Sequence, residues 1–138
     1  MNSRNLQIAA VLAVTLPVSL GTGAMPALAA EAERDPATLV PVEEIEAPII
    51  DSGRLDGVLK IKVTLQTRTP DGAEELADMM PELRAALLAG TMEFARLRAS
   101  PYTPVDVAGL RAILTPAVRK IAPQVDTVLV LKAGAFTS

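Results

Sequence analysis

Between Val58 and Thr67 apolar and polar residues alternate without a break. Leu59, Ile61, Val63 and Leu65 fall on one face, and Lys60, Lys62, Thr64 and Gln66 on the other. This strict period of two predicts a strand with one buried and one wet face. Ahead of it, Leu39 to Ile50 mixes apolar and acidic residues and carries Pro41 and Pro48. Proline inside a strand points to a sheet edge, so this stretch reads as a short edge strand. Asp51-Ser52-Gly53-Arg54 supplies turn residues between the two, with Asp56-Gly57 as a second candidate turn. With the turn centred on Gly53, Glu46 lies opposite Lys60 and Glu44 opposite Lys62, which predicts cross-strand ion pairs.

The period then lengthens. Thr69-Pro70-Asp71-Gly72 ends the strand, and Asp71 with Glu74 three residues later has the form of a capping box. Leu76, Met80, Leu83, Leu87, Phe94 and Leu97 recur at helical spacing, with Gly90 or Thr91 filling the gap. Pro81 within this stripe predicts a kink, or a restart with Pro81 in a new first turn. A second helix is expected to start at Thr103 as N-cap, with Pro104 in its first turn and Asp106 reaching back. Its stripe is Val107, Leu110, Leu114, Val118 and Ile121, and Pro116 predicts a kink or early stop. Val125 to Leu131 is read as a last strand. Its apolar side chains point to both faces, which predicts a place inside the sheet. The order strand, strand, helix, helix, strand predicts an α+β fold: an antiparallel sheet with two helices packed on one face.

The first thirty residues follow a different pattern. Arg4 precedes an apolar run from Leu6 to Leu20, and Ala27-Leu28-Ala29 stands ahead of Ala30. Charge, apolar run and small-residue site in that order form a secretory leader, expected to be cut after Ala29 and before Ala30. The alternative, a retained membrane anchor, needs about 20 consecutive apolar residues, and Pro17 and Gly21-Thr22-Gly23 interrupt this run. The expected organisation is a leader over 1–29, a loose mature terminus over 30–38, and a single domain over 39–138. Localisation is then periplasmic, or inner-membrane anchored if the leader stays.

Composition narrows the chemistry. The formal net charge is −3, and about −4 once Arg4 leaves with the leader. That balance, with no basic stripe, argues against nucleic acid as a partner. Cysteine and histidine are both absent, which removes thiol and imidazole nucleophiles and the common zinc ligands. Phe94, Tyr102 and Phe136 are the only rings. Paired carboxylates, a Ser-Lys pair or a cofactor are the enzymatic routes left. The acids, however, fall on strand and helix surfaces, and the expectation is a protein that is not an enzyme and has no cofactor or metal.

The ordered motifs resemble the periplasmic domain of the flagellar basal-body-associated protein FliL. The likeness runs over about residues 40–137: LVPVEEIEAPII, then GVLKIKVTLQT, then Met80-Pro81-Glu82-Leu83-Arg84 with Leu87-Leu88, then Leu110-Arg111-Ala112-Ile113-Leu114, then VDTVLVLKAGAF. The resemblance implies a stomatin/band-like fold, ring-like assembly and protein partners at the cell envelope, including flagellar motor components. Candidate interaction residues are Glu43, Glu44, Glu46 and Tyr102. The acidic run also reads as a solvated strand face, and Tyr102 as a ring capping helix ends. The proline-bearing edge strand near Leu39–Ile50 offers backbone groups for strand addition and a homo-oligomer. The rival function is a periplasmic small-ligand-binding or inhibitory module, which calls for a deep apolar cavity between the helices and the sheet.

Overall fold

The structure, a computed structural model, describes residues 35–138. The leader, with Ala27, Ala29 and Ala30, lies outside the described residues. A 3-10 turn over Pro36–Thr38 leads into β1 (Leu39–Pro41), β2 (Ile45–Asp51) and β3 (Arg54–Thr67). Three helices follow, α1 (Pro70–Asp78), α2 (Met80–Arg98) and α3 (Val107–Arg119), and then β4 (Val125–Thr137). This is the antiparallel α+β arrangement, with the helices over one face of the sheet.

β3 is the centre of the sheet. β1 and β2 line one of its edges in succession, and β4 pairs along the other. Leu59, Ile61, Val63 and Leu65 are all but fully buried, as the alternation demands. They pack under Leu83, Leu87, Phe94, Leu110, Leu114 and Val118 from the helices. Ser52 and Gly53 form the two-residue hairpin loop, both with positive φ (49° and 79°). Such turns match the twist of the strands and favour glycine at the second position. The second turn candidate, Asp56-Gly57, instead continues β3 past a one-residue bulge. Gly57 is needed there because a Cβ would collide with the Phe136 carbonyl of β4.

Four other boundaries differ from the sequence reading. The expected loose terminus ends early: the Thr38 hydroxyl donates to the Asp35 carbonyl at 2.7 Å, and the Thr67 hydroxyl donates to the Thr38 carbonyl at 3.2 Å. Thr69, not Asp71, caps α1, its hydroxyl accepting from Gly72 N–H at 3.2 Å. Pro70 sets a helical φ directly after it, so Asp71 falls within the first turn. Asp106, not Thr103, caps α3, accepting from Gly109 N–H at 2.9 Å. Pro116 does not stop α3, which runs on to Arg119. The Pro81 segment restarts: α1 ends at Asp78 and α2 opens with Pro81 in its first turn.

The largest correction concerns β4, which pairs only with β3 and so lies at an edge. Its apolar pattern has another cause. Val128 and Val130 share the core face with Leu65 and Val63, whereas Leu129 lies beside Thr64 on the face turned away from the helices, where Thr64, expected to be wet, is itself buried. Leu131 is the extra residue of a bulge between Val130 and Lys132 and is 61% exposed.

Candidate interaction surface

Glu43 and Glu44 do not continue the edge strand. Between Pro41↔Thr64 and Ile45↔Ile61 the edge holds three residues where β3 holds two, which makes a bulge that separates β1 from β2. Val42 stays inside and donates to the Val63 carbonyl at 3.1 Å. The freed carbonyls of Glu43 and Glu44 are met by one side chain, Arg84 of α2, at 3.5 and 3.4 Å. The same guanidinium lies 3.2 Å from the Glu43 carboxylate. Arg84, noticed in the sequence only as part of a motif, therefore clamps the bulge to the helix layer. A basic residue directly after a buried leucine of the helix stripe was the available signal.

Glu46 lies opposite Lys60 as the hairpin register predicts, with Nζ to Oε1 at 2.6 Å. This hydrogen bond, reinforced by the charges of Glu46 and Glu44, raises the Lys60 pKa above its ordinary value. The expected pairing of Glu44 with Lys62 does not form, because the bulge takes Glu44 out of register. Lys62 instead lies opposite Lys132 of β4. Among the described residues neither lysine enters an ion pair or a side-chain hydrogen bond.

Tyr102 is 74% exposed in the loop before α3, and its hydroxyl donates to Asp56 at 3.3 Å. It does not stand beside Glu43 or Glu44. It closes one end of a trench along the β2–α2 flank. One part of the trench, about 410 Å³, is walled by Pro48, Ile50, Ala89 and Met92. The adjoining part, about 290 Å³, shares Ile50 and Arg96 with it and runs on past Leu97 to Tyr102. Ile50, Met92 and Leu97 are each about half exposed, as is Leu55, which faces Ile50 across the hairpin. Met92 thus fills no core space, unlike Met79 and Met80, which pack against the core. Among the described residues the one charged pair inside the trench walls is Glu93–Arg96, at 2.9 Å.

Acids on α1 and α2 are spread along exposed faces, and Glu75 accepts from Gln124 at 3.2 Å. Among the described residues no three potential metal ligands gather in one place, and no helix is long and apolar enough to cross a membrane. No family model, curated protein or solved structure matches this chain.

Proposed function

We propose that the chain is a non-enzymatic, exported domain of the FliL-like kind that works by protein–protein contact at the cell envelope, with the flagellar basal body as its setting. One observation carries this reading. Ile50, Leu55, Met92, Leu97 and Tyr102, half of the large apolar side chains left exposed among the described residues, converge on one end of a small domain. Contiguous apolar surface of this kind marks interaction sites in soluble domains. Tyr102 adds an amphipathic ring of the type enriched at protein interfaces.

The rival reading, a small-ligand or inhibitory module, draws on the size of the trench, which suits a small molecule. It calls for a cavity between helices and sheet, whereas both parts of the trench lie on the outer flank. The test is a photo-reactive side chain placed at position 102 in the native host, with crosslinking in the intact envelope. Capture of a basal-body or motor component supports the proposal. A clean absence of crosslinks at position 102 and at position 92, with the protein correctly exported, overturns it.

A further inference from the structure

The outer edge of β4 is finished over one half of its length and bare over the other. Near its start α3 covers it. Arg119 donates to the carbonyls of Val125, at 3.2 Å, and Asp126, and the Thr115 hydroxyl accepts from Val128 N–H at 3.4 Å. Beyond Val128 this cover stops. The direction of the remaining backbone groups follows from β3. Val63 turns its carbonyl toward the β1–β2 edge, where Val42 binds it. Backbone groups alternate along a strand, so Ile61 and Leu59 turn the same way. Their partners across the other edge, Val130, Ala133 and Ala135, therefore have no ladder bond to make with β3 and face outward. No side chain among the described residues meets them. A long apolar edge strand without such cover invites another strand.

Charge says which strand. On the uncovered face of the sheet, Glu46 of β2 answers Lys60. One step along, Lys62 and Lys132 lie directly opposite each other, and among the described residues neither enters an ion pair. Like charges in that position repel. An acid on a strand added beyond β4 would supply for Lys132 what Glu46 supplies for Lys60. A second copy pairing through the same edge would instead bring Lys62 and Lys132 of both chains onto one face.

The geometry points to a strand-addition site along Val130–Thr137 for an extended, acidic segment of a partner protein, with an Asp or Glu of that segment opposite Lys132. This rests on the contact-domain reading and gives one of its partners a chemistry. Main-chain hydrogen bonds from Val130, Ala133 and Ala135 supply the attachment, and the lysine pair selects the charge.

The test uses the full chain and two capped synthetic peptides, Thr-Val-Glu-Val-Glu-Val-Thr and the same sequence with Lys in place of both Glu. Amide hydrogen exchange is the readout. The acidic peptide is expected to slow exchange at Val130, Ala133 and Ala135 by tenfold or more, while the lysine peptide leaves them unchanged. Lys132→Glu should reverse that preference. Ala135→Pro, which removes an outward donor and no bond to β3, should abolish protection at Ala133. No protection at saturating peptide, or equal protection by both peptides, overturns the inference. So does protection that appears with protein concentration alone, which would assign the edge to a second copy. Crosslinks from position 102 that persist while β4 stays unprotected sink this site and leave the contact-domain reading standing.

Discussion

Lys60 and Lys62 stand two residues apart on the same face of β3, yet their neighbours give them opposite electrostatic surroundings. Lys60 is held at 2.6 Å by Glu46, whereas Lys62 faces Lys132. Lys60→Glu is therefore expected to lower the unfolding midpoint by opposing Glu46 with a like charge. Lys62→Glu is expected to raise stability, by about 0.5 kcal/mol, by turning a repulsion into a cross-strand pair. Urea denaturation of the two variants tests the contrast, and equal shifts would count against the register. The Lys60 pKa is raised in the folded state. Its contribution is thus present in full below the ordinary lysine value and is lost as pH climbs through the raised one. The stability gap between the native chain and Lys60→Met should stay level near neutral pH and close only in that alkaline window. High salt should narrow it as well, because the pair is exposed.

At the scale of elements, the interruption between β1 and β2 is a built feature, since Arg84 reaches across from α2 to satisfy both bulged carbonyls. Removing that reach should loosen the edge without touching the core. Arg84→Met is predicted to cost roughly 1 kcal/mol and to speed amide exchange at Val42, with the exchange of Leu59 and Ile61 nearly unchanged. Uniform acceleration across β3 would show that the clamp matters to the whole sheet instead. On the other flank α3 does two jobs. Leu110, Leu114 and Val118 enter the core, while Thr115 and Arg119 bond the start of β4. The end of α3 thus covers the start of β4, and Thr115, one turn earlier in the helix, makes the last bond of that cover at Val128.

For the whole molecule, stability rests on one layer of contact between the sheet and the helices. Leu114 is fully buried within it, so Leu114→Ala is expected to cost about 2–5 kcal/mol, a large share of a domain's usual 5–15. Leu97 belongs to the same expected apolar stripe as the buried α2 leucines but is 55% exposed. Leu97→Ala should change stability by no more than about 0.5 kcal/mol. A guanidinium titration of both variants separates them. A large loss at Leu97 would mean that the exposed end is part of the core rather than a surface free for contact. With no disulfide to constrain the unfolded chain, these packing terms act alone.

Alternation and helical spacing determine locally which residues are apolar neighbours, so the buried β3 face, the hairpin register and Glu46–Lys60, the middle of the α2 and α3 stripes and the α+β order were legible in the sequence, whereas the expected stripe ends Leu97, Val107 and Ile121 are exposed. Cap positions were not, because several side chains near each helix start compete for the same free N–H groups, and backbone geometry picks among them. The bulge at Glu43–Glu44 was hidden for a similar reason: one extra residue leaves no mark in composition, and only the long-range reach of Arg84 makes it affordable. The place of β4 was illegible in principle. An apolar strand looks the same whether strands flank it on both sides or one side meets a helix end and then nothing. That choice is made by non-local pairing, and so was the meeting of Lys62 with Lys132 and the trench from Pro48 to Tyr102.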